Sequence, residues 1–143
     1  MNSGEKKFIK LTNCICKDLR RSSRNISQIY NKNLKKSGEI INTNQVSILV
    51  ALTQFKKIKI SKICQQLNME RTTISRNLNV LKKYDLIYFV SGADNRIKFV
   101  NISNEGKRVL VKIFPFWENA QNQIKKLLGK DLDILQNNLK KLF

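Results

Sequence analysis

Three features of this 143-residue sequence predict a mainly α-helical domain with one β-hairpin. Apolar residues recur at helical spacing over most of the chain, two short helical segments meet at a tight polar turn near its middle, and an alternating apolar segment comes next with a glycine-containing turn. The length suits a single domain. With 41% hydrophobic and 27% charged residues a core can form, and neither a collagen-like nor a disordered chain is indicated.

From Phe8, apolar residues recur at Leu11, Ile15, Leu19, Ile26, Tyr30 and Leu34, which predicts one helix of about eight turns ended by Ser37-Gly38. Its other face holds Lys17, Arg20, Arg21 and Arg24, a surface that suits solvent as well as DNA. Thr43 is expected to cap a second helix, with Val46, Leu49, Val50, Leu52 and Phe55 turned inward and Lys56-Lys57 at its end. Ile60, Ile63, Cys64 and Leu67 define a short third helix, and Ile74, Leu78 and Leu81 a fourth. Only Asn68-Met69-Glu70 separates these two. A short helix, a tight turn and a helix with a polar, basic start form a helix-turn-helix, although an ordinary αα corner has the same pattern.

The segment beyond the fourth helix sharpens the expectation. Leu86 to Val90 reads as a strand, Ser91-Gly92-Ala93-Asp94-Asn95 as a turn, and Ile97 to Ile102 as the return strand. Helix-turn-helix plus hairpin is a winged helix, in which the helix reads the major groove and the hairpin tip reaches the flanking backbone or minor groove. Ser103 then caps a helix carrying Val109, Leu110, Ile113, Phe114, Trp117, Ala120, Ile124 and Leu127, which Pro115 is expected to kink. Gly129 ends it, and Asp131 caps a last helix with Leu132, Leu135, Leu139 and Leu142. The first and last helices carry more apolar stripe than one small winged helix covers. The expected fold is therefore mainly α (α+β), a winged helix-turn-helix with long N- and C-terminal dimerisation helices. One domain, 1–143, divides into an N-terminal helix (1–36), a winged helix-turn-helix (43–102) and C-terminal helices (103–143).

Charge and composition narrow the function. Against 28 Lys and Arg stand 10 Asp and Glu, a net charge of +18 that a compact domain tolerates best beside a polyanion, so double-stranded DNA is the expected partner. There is no His, which removes the commonest general base and metal ligand. Three Cys are too few for a Cys-only zinc site and too odd for a disulfide framework. No Gly-rich phosphate loop or paired-carboxylate motif is visible, so no metal, cofactor or enzymatic turnover is expected. Met1 to Phe8 lacks an apolar core for a signal peptide, and Val46 to Phe55 is too short to span a bilayer, which argues for a cytoplasmic protein.

The wing residues Asp94, Asn95 and Arg96, with Ile102, Ser103, Asn104, Glu105 and Gly106 after them, resemble the MarR family signature of Asp-x-Arg and then Leu-Thr-x-x-Gly, with Ile and Ser as conservative departures. The segment Glu70-Arg71-Thr72-Thr73-Ile74-Ser75-Arg76-Asn77-Leu78 is similar to the family's recognition helix, and the resemblance extends over nearly the whole chain. It implies a homodimeric DNA-binding transcriptional regulator, usually a repressor released by a small molecule or an oxidant. Cys16 to Tyr30 also resembles the first helix of the family's organic-peroxide-sensing branch, which places Cys16 on its reactive cysteine and Tyr30 on one tyrosine that holds it. Two further tyrosines of that branch are Arg20 and Asn44 here.

The candidate DNA-binding residues are Arg71, Thr72, Thr73, Ser75, Arg76, Asn77, Arg96 and Lys98. Only seven basic residues are Arg, and three of them lie on the helix and wing expected to meet DNA. Guanidinium makes bidentate bonds to guanine and fits narrow minor grooves, whereas Lys acts as a point charge. Asp94 is assigned to the wing's structure, since a carboxylate repels phosphate. Cys16 and Cys14, with Tyr30, are candidates for a redox sensor; Lys17 and Arg20 bring positive charge to the Cys16 sulfur, which favours oxidation, while simple packing is the other reading. Within one continuous helix the two thiols would not pair. A low-specificity, nucleoid-like DNA binder without effector is the alternative that the same charge allows.

Overall fold

The computed structural model describes residues 2–143; Met1, the first residue of the segment read for a leader, lies outside the described residues. The expected single N-terminal helix is two. Helix α1 spans Ser3–Thr12 and α2 spans Ile15–Lys35, with Asn13 and Cys14 between them. Thr12-Asn13 is a poor place to continue a helix: the Thr12 hydroxyl turns back to the Ile9 carbonyl at 2.6 Å, and Asn13 ends α1 at φ −86°, ψ 52°. Lys17 Nζ donates to the Thr12 carbonyl across the break. Periodicity is blind to such a break, because the apolar spacing carries on through it.

Helix α3 (Thr43–Thr53) starts one residue earlier than expected, because Asn42 and not Thr43 is its cap. Gln45 N–H donates to Asn42 Oδ1 and Asn42 N–H to Gln45 Oε1, both at 3.0 Å, a reciprocal capping box. Thr43 N–H donates instead to Asn31 Oδ1 on α2, at 2.9 Å. A two-residue strand that the pattern did not reveal, β1 (Ile58–Lys59), precedes α4 (Ile60–Leu67). Asn68 closes α4 in the left-handed region at φ 48°, a conformation Asn tolerates, and α5 (Arg71–Lys83) comes next.

Strands β2 (Ile87–Ser91) and β3 (Lys98–Ile102) form the hairpin, and β1 joins its far edge to give the order β1-β3-β2, all antiparallel. Ile58 faces Val100 and Lys59 faces Phe99 across β1–β3, while Tyr88 faces Asn101 across β2–β3. Ile58, Ile87, Val100 and Ile102 turn inward onto a core built with Ile48, Leu49, Leu52, Ile63, Ile74, Leu78 and Leu81. Helix α6 (Asn104–Leu128) runs on through Pro115, so the proline does not end it, and Gly129 closes it at φ 54°. Helix α7 spans Asp131–Leu139 with Lys130 in the cap position expected for Asp131, and a 3-10 turn covers Lys140–Leu142.

Helices α2 and α6 pack side by side. Tyr30 and Trp117 rings lie 6.4 Å apart, and Glu39, in the loop after α2, takes an ion pair from Lys112 Nζ at 2.6 Å and another from Arg108 at 3.5 Å. Arg108 also bonds Glu105 and holds that carboxyl below its usual range. In contrast, α1 and α7 bury no residue at all.

Candidate nucleic-acid interface

Helix α5 divides by its period. At about 100° per residue, Ile74, Leu78 and Leu81 share one face, and all three are buried. Thr72, Arg76, Asn79 and Lys83 fall on the opposite face; Thr72, Asn79 and Lys83 are exposed there, and Arg76 shares the outward row. Arg71 is also exposed but sits toward one flank, in the first turn, where backbone N–H groups lack helical partners and favour phosphate. Thr73, Ser75 and Asn77 stand at the sides, and the Asn77 amide donates to the Thr73 carbonyl at 2.9 Å. Asn79 and Lys83 were not singled out from the sequence, although their spacing of three and seven from Arg76 marks the same stripe.

The wing tip is built around Asp94. Its Oδ1 accepts from the Arg96 backbone N–H at 3.0 Å and lies 3.6 Å from Arg96 Nε, while its carbonyl accepts from Ile97 N–H at 2.9 Å. Gly92 N–H donates to the Ile97 carbonyl, closing the loop. The Arg96 side chain is 94% exposed even though Asp94 lies beside it. Lys98 is exposed in the ladder pair next to the wing's turn, opposite Ser91.

The wing and α5 are tied to α6 through a three-way joint. Asp85 takes the left-handed conformation, φ 57°, to turn α5 into β2. Ser103 Oγ donates to the Asp85 carbonyl at 2.6 Å and accepts from Gly106 N–H at 2.9 Å, while Ser103 N–H donates to the Leu86 carbonyl at 3.0 Å. A Cβ on Gly106 would sit 2.2 Å from the Leu86 carbonyl oxygen, so only glycine fits there. The Ser103 and Gly106 of the sequence motif thus serve this joint.

Residues 41–106 match the family model described as a winged helix DNA-binding domain. The fold of the whole chain is similar to that of the M. tuberculosis transcriptional regulator MosR solved in complex with DNA, at 28% identity and a TM-score of 0.80, covering 91% of this chain and 93% of that one. The chain has a winged helix-turn-helix fold of the kind that MarR-family regulators share. The MarR fold is shared with a mutant E. coli MarR complexed with operator DNA, at 15% identity and a TM-score of 0.80 over 90% of this chain and 93% of that one. It is shared too with a MarR-family regulator from Rhodococcus sp. RHA1, at 15% identity and a TM-score of 0.76 over 91% and 95%. A comparison with curated protein sequences finds no match.

The redox candidates stand differently from the sequence expectation. Cys14 and Cys16 are exposed and Cys64 is half-buried. Cys14 lies outside α2, as its extended N-cap, so the two thiols do not share one continuous helix. Tyr30 is not beside Cys16 within the chain: 14 residues of one helix separate them by about 21 Å. Tyr30 packs on Trp117 instead, and burial raises its phenol above the ordinary value. Beside that pair, where α3 meets α6, lies an apolar cavity of about 280 Å³ lined by Val46, Val50, Leu110, Ile113, Phe114 and Trp117. Among the described residues no cluster of His, Cys, Asp and Glu is placed to hold a metal, and no helix is long and apolar enough to cross a membrane.

Proposed function

We propose that the protein is a homodimeric transcriptional repressor that binds a pseudo-palindromic operator and leaves it when a small ligand or an oxidant alters the dimer. The observation that carries this reading is the outward face of α5, with Thr72 and Arg76, packed on the hairpin that carries an almost fully exposed Arg96 at the wing tip. A helix so faced suits the major groove, and a lone guanidinium on a hairpin suits the adjacent minor groove. Support for a partner copy comes from α1, α7 and their flanks, where Phe8, Leu11, Ile15, Ile134, Leu142 and Phe143 are each at least 59% exposed. The charge of +18 equally favours a low-specificity DNA binder, and the ratio of specific to nonspecific affinity at fixed salt separates the two.

Two arginine variants test the division of labour. Arg76→Ala should cost about 1 to 3 kcal/mol of operator binding and relax the preference at one base pair, as loss of a bidentate base contact does. Arg96→Ala should weaken binding while leaving the major-groove preference as it was. Unchanged affinity of both variants, measured by anisotropy at moderate salt, would refute the placement.

Thiol control predicts a second set of outcomes. Cys16 lies on the stretch of α2 before Asn25 whose side chains are nearly all exposed in the single chain, the stretch a partner copy would cover together with α1. Adding oxygen to a sulfur packed there would disturb the interface and the spacing of the two DNA-reading heads. Cumene hydroperoxide should release wild type and Cys64→Ser from DNA but leave Cys16→Ser bound. Release of Cys16→Ser as readily as wild type would discard the thiol and leave ligand binding at the cavity beside Trp117 as the control.

A further inference from the structure

The three-stranded sheet has an outer face that the core does not use. Because Ile58, Val100 and Ile87 point inward, alternation puts Lys57, Asn101 and Tyr88 in one outward row and Lys59, Phe99 and Val90 in the next. Lys57 Nζ lies 5.0 Å and Lys59 Nζ 6.0 Å from the centre of the Phe99 ring, so one aromatic ring attracts two ammonium groups. The ring also abuts the wing, with Phe99 Cε2 3.0 Å from where a Cβ on Gly92 would be. Neither row contains a carboxylate, and the ion pairs among the described residues engage only Asp94, Glu39 and Glu105 on the acidic side. Beside Tyr88 and Asn101 the face continues into an open cavity of about 350 Å³ rimmed by Lys56 and Lys107.

Orientation gives this face its partner. The inward side of the sheet looks toward α5, where Lys82 lies over the Phe89 ring at 5.3 Å. With α5 in the major groove and Arg96 in the next minor groove, the opposite side of the sheet looks outward along the duplex. Phe99 and Asn101 stand three and five residues behind the wing tip, about 10 and 16 Å at strand rise. We propose that Lys57 and Lys59, drawn to Phe99, form a second phosphate clamp that grips the DNA backbone outside the operator. This rests on the DNA-binding reading above and adds to it a contact with no sequence preference, which lengthens the footprint on each side.

The test uses the full chain and two duplexes: a tight-binding sequence selected from a random library, trimmed to its two half-sites, and the same sequence extended by ten random base pairs on each side. Wild type and the Lys57→Gln/Lys59→Gln variant are compared by anisotropy across a salt series, with circular dichroism confirming that both fold alike. Each released phosphate contact changes the slope of log affinity against log salt by about 0.9, so two per protomer change it by about 3.6 per dimer. On the extended duplex, wild type should therefore lose about 150-fold more affinity than the variant over a fourfold rise in salt. On the trimmed duplex the two proteins should have equal slopes. Equal slopes on both duplexes, or the same difference on both, overturn the outer clamp while leaving operator reading intact. Failure of wild type to prefer any duplex overturns the operator reading and the clamp together.

Discussion

Gly106→Ala is expected to cost the folded state about 3 kcal/mol, the upper end of what overpacking does, because the added methyl meets a backbone atom. Its Cβ would lie 2.2 Å from the Leu86 carbonyl oxygen and 2.8 Å from Ile102 Cγ1, on a backbone group and a side chain that the core holds in place. The Leu86 carbonyl also accepts the Ser103 N–H, so relief of the clash opens the joint that sets the wing against α6. The urea midpoint should fall with the m-value unchanged. An exposed glycine offers the control: Gly4 has nothing within 4 Å of a Cβ, and Gly4→Ala should leave the midpoint where it was or raise it slightly.

Ile134→Asp is expected to split the dimer. Ile134 is 59% exposed on α7, a helix with no buried residue, so the chain's own core does not feel the change. In a two-fold interface the substitution occurs twice, and each unpaired carboxylate taken from water costs several kcal/mol, which weakens the dimer by about ten-thousandfold or more. DNA binding then falls, because the second head no longer benefits from the first one's attachment. Ultracentrifugation should find wild type dimeric and Ile134→Asp monomeric at micromolar concentration, with the same circular dichroism. Two dimers would remove α7 from the interface, and two monomers would overturn the homodimer itself.

Local chemistry made part of this structure legible in the sequence. Helices α4 and α5, the wing and the start of α6 come from apolar stripes, a tight polar turn at Asn68-Met69-Glu70, a glycine-bearing turn and a Ser cap. The break at Asn13-Cys14 left no trace in periodicity, because α2 resumes the stripe almost in phase. Strand β1 is two residues long, too short to alternate, and exists because β3 offers an edge to Ile58 and Lys59. The outward face of α5 was legible because it depends on one helix's wheel, as for Thr72 and Arg76, whereas the outer face of the sheet was not. That face depends on register, since only the β1–β3 pairing puts Lys57 and Lys59 around Phe99. Cys14 and Cys16 were placed by a continuous helix that does not exist.

A chain that reads DNA sequence as a pair of winged helices must prefer one sequence strongly over others. The decisive quantity is the affinity of the purified protein at roughly 150 mM salt for a duplex selected from a random library, against a scrambled duplex of equal length. Selection should yield two inverted half-sites about one helical turn apart, bound about a thousandfold or more tighter than the scrambled duplex. Selection that yields no common sequence, with equal affinity for both duplexes, would overturn sequence reading and leave a basic protein that binds DNA by charge alone.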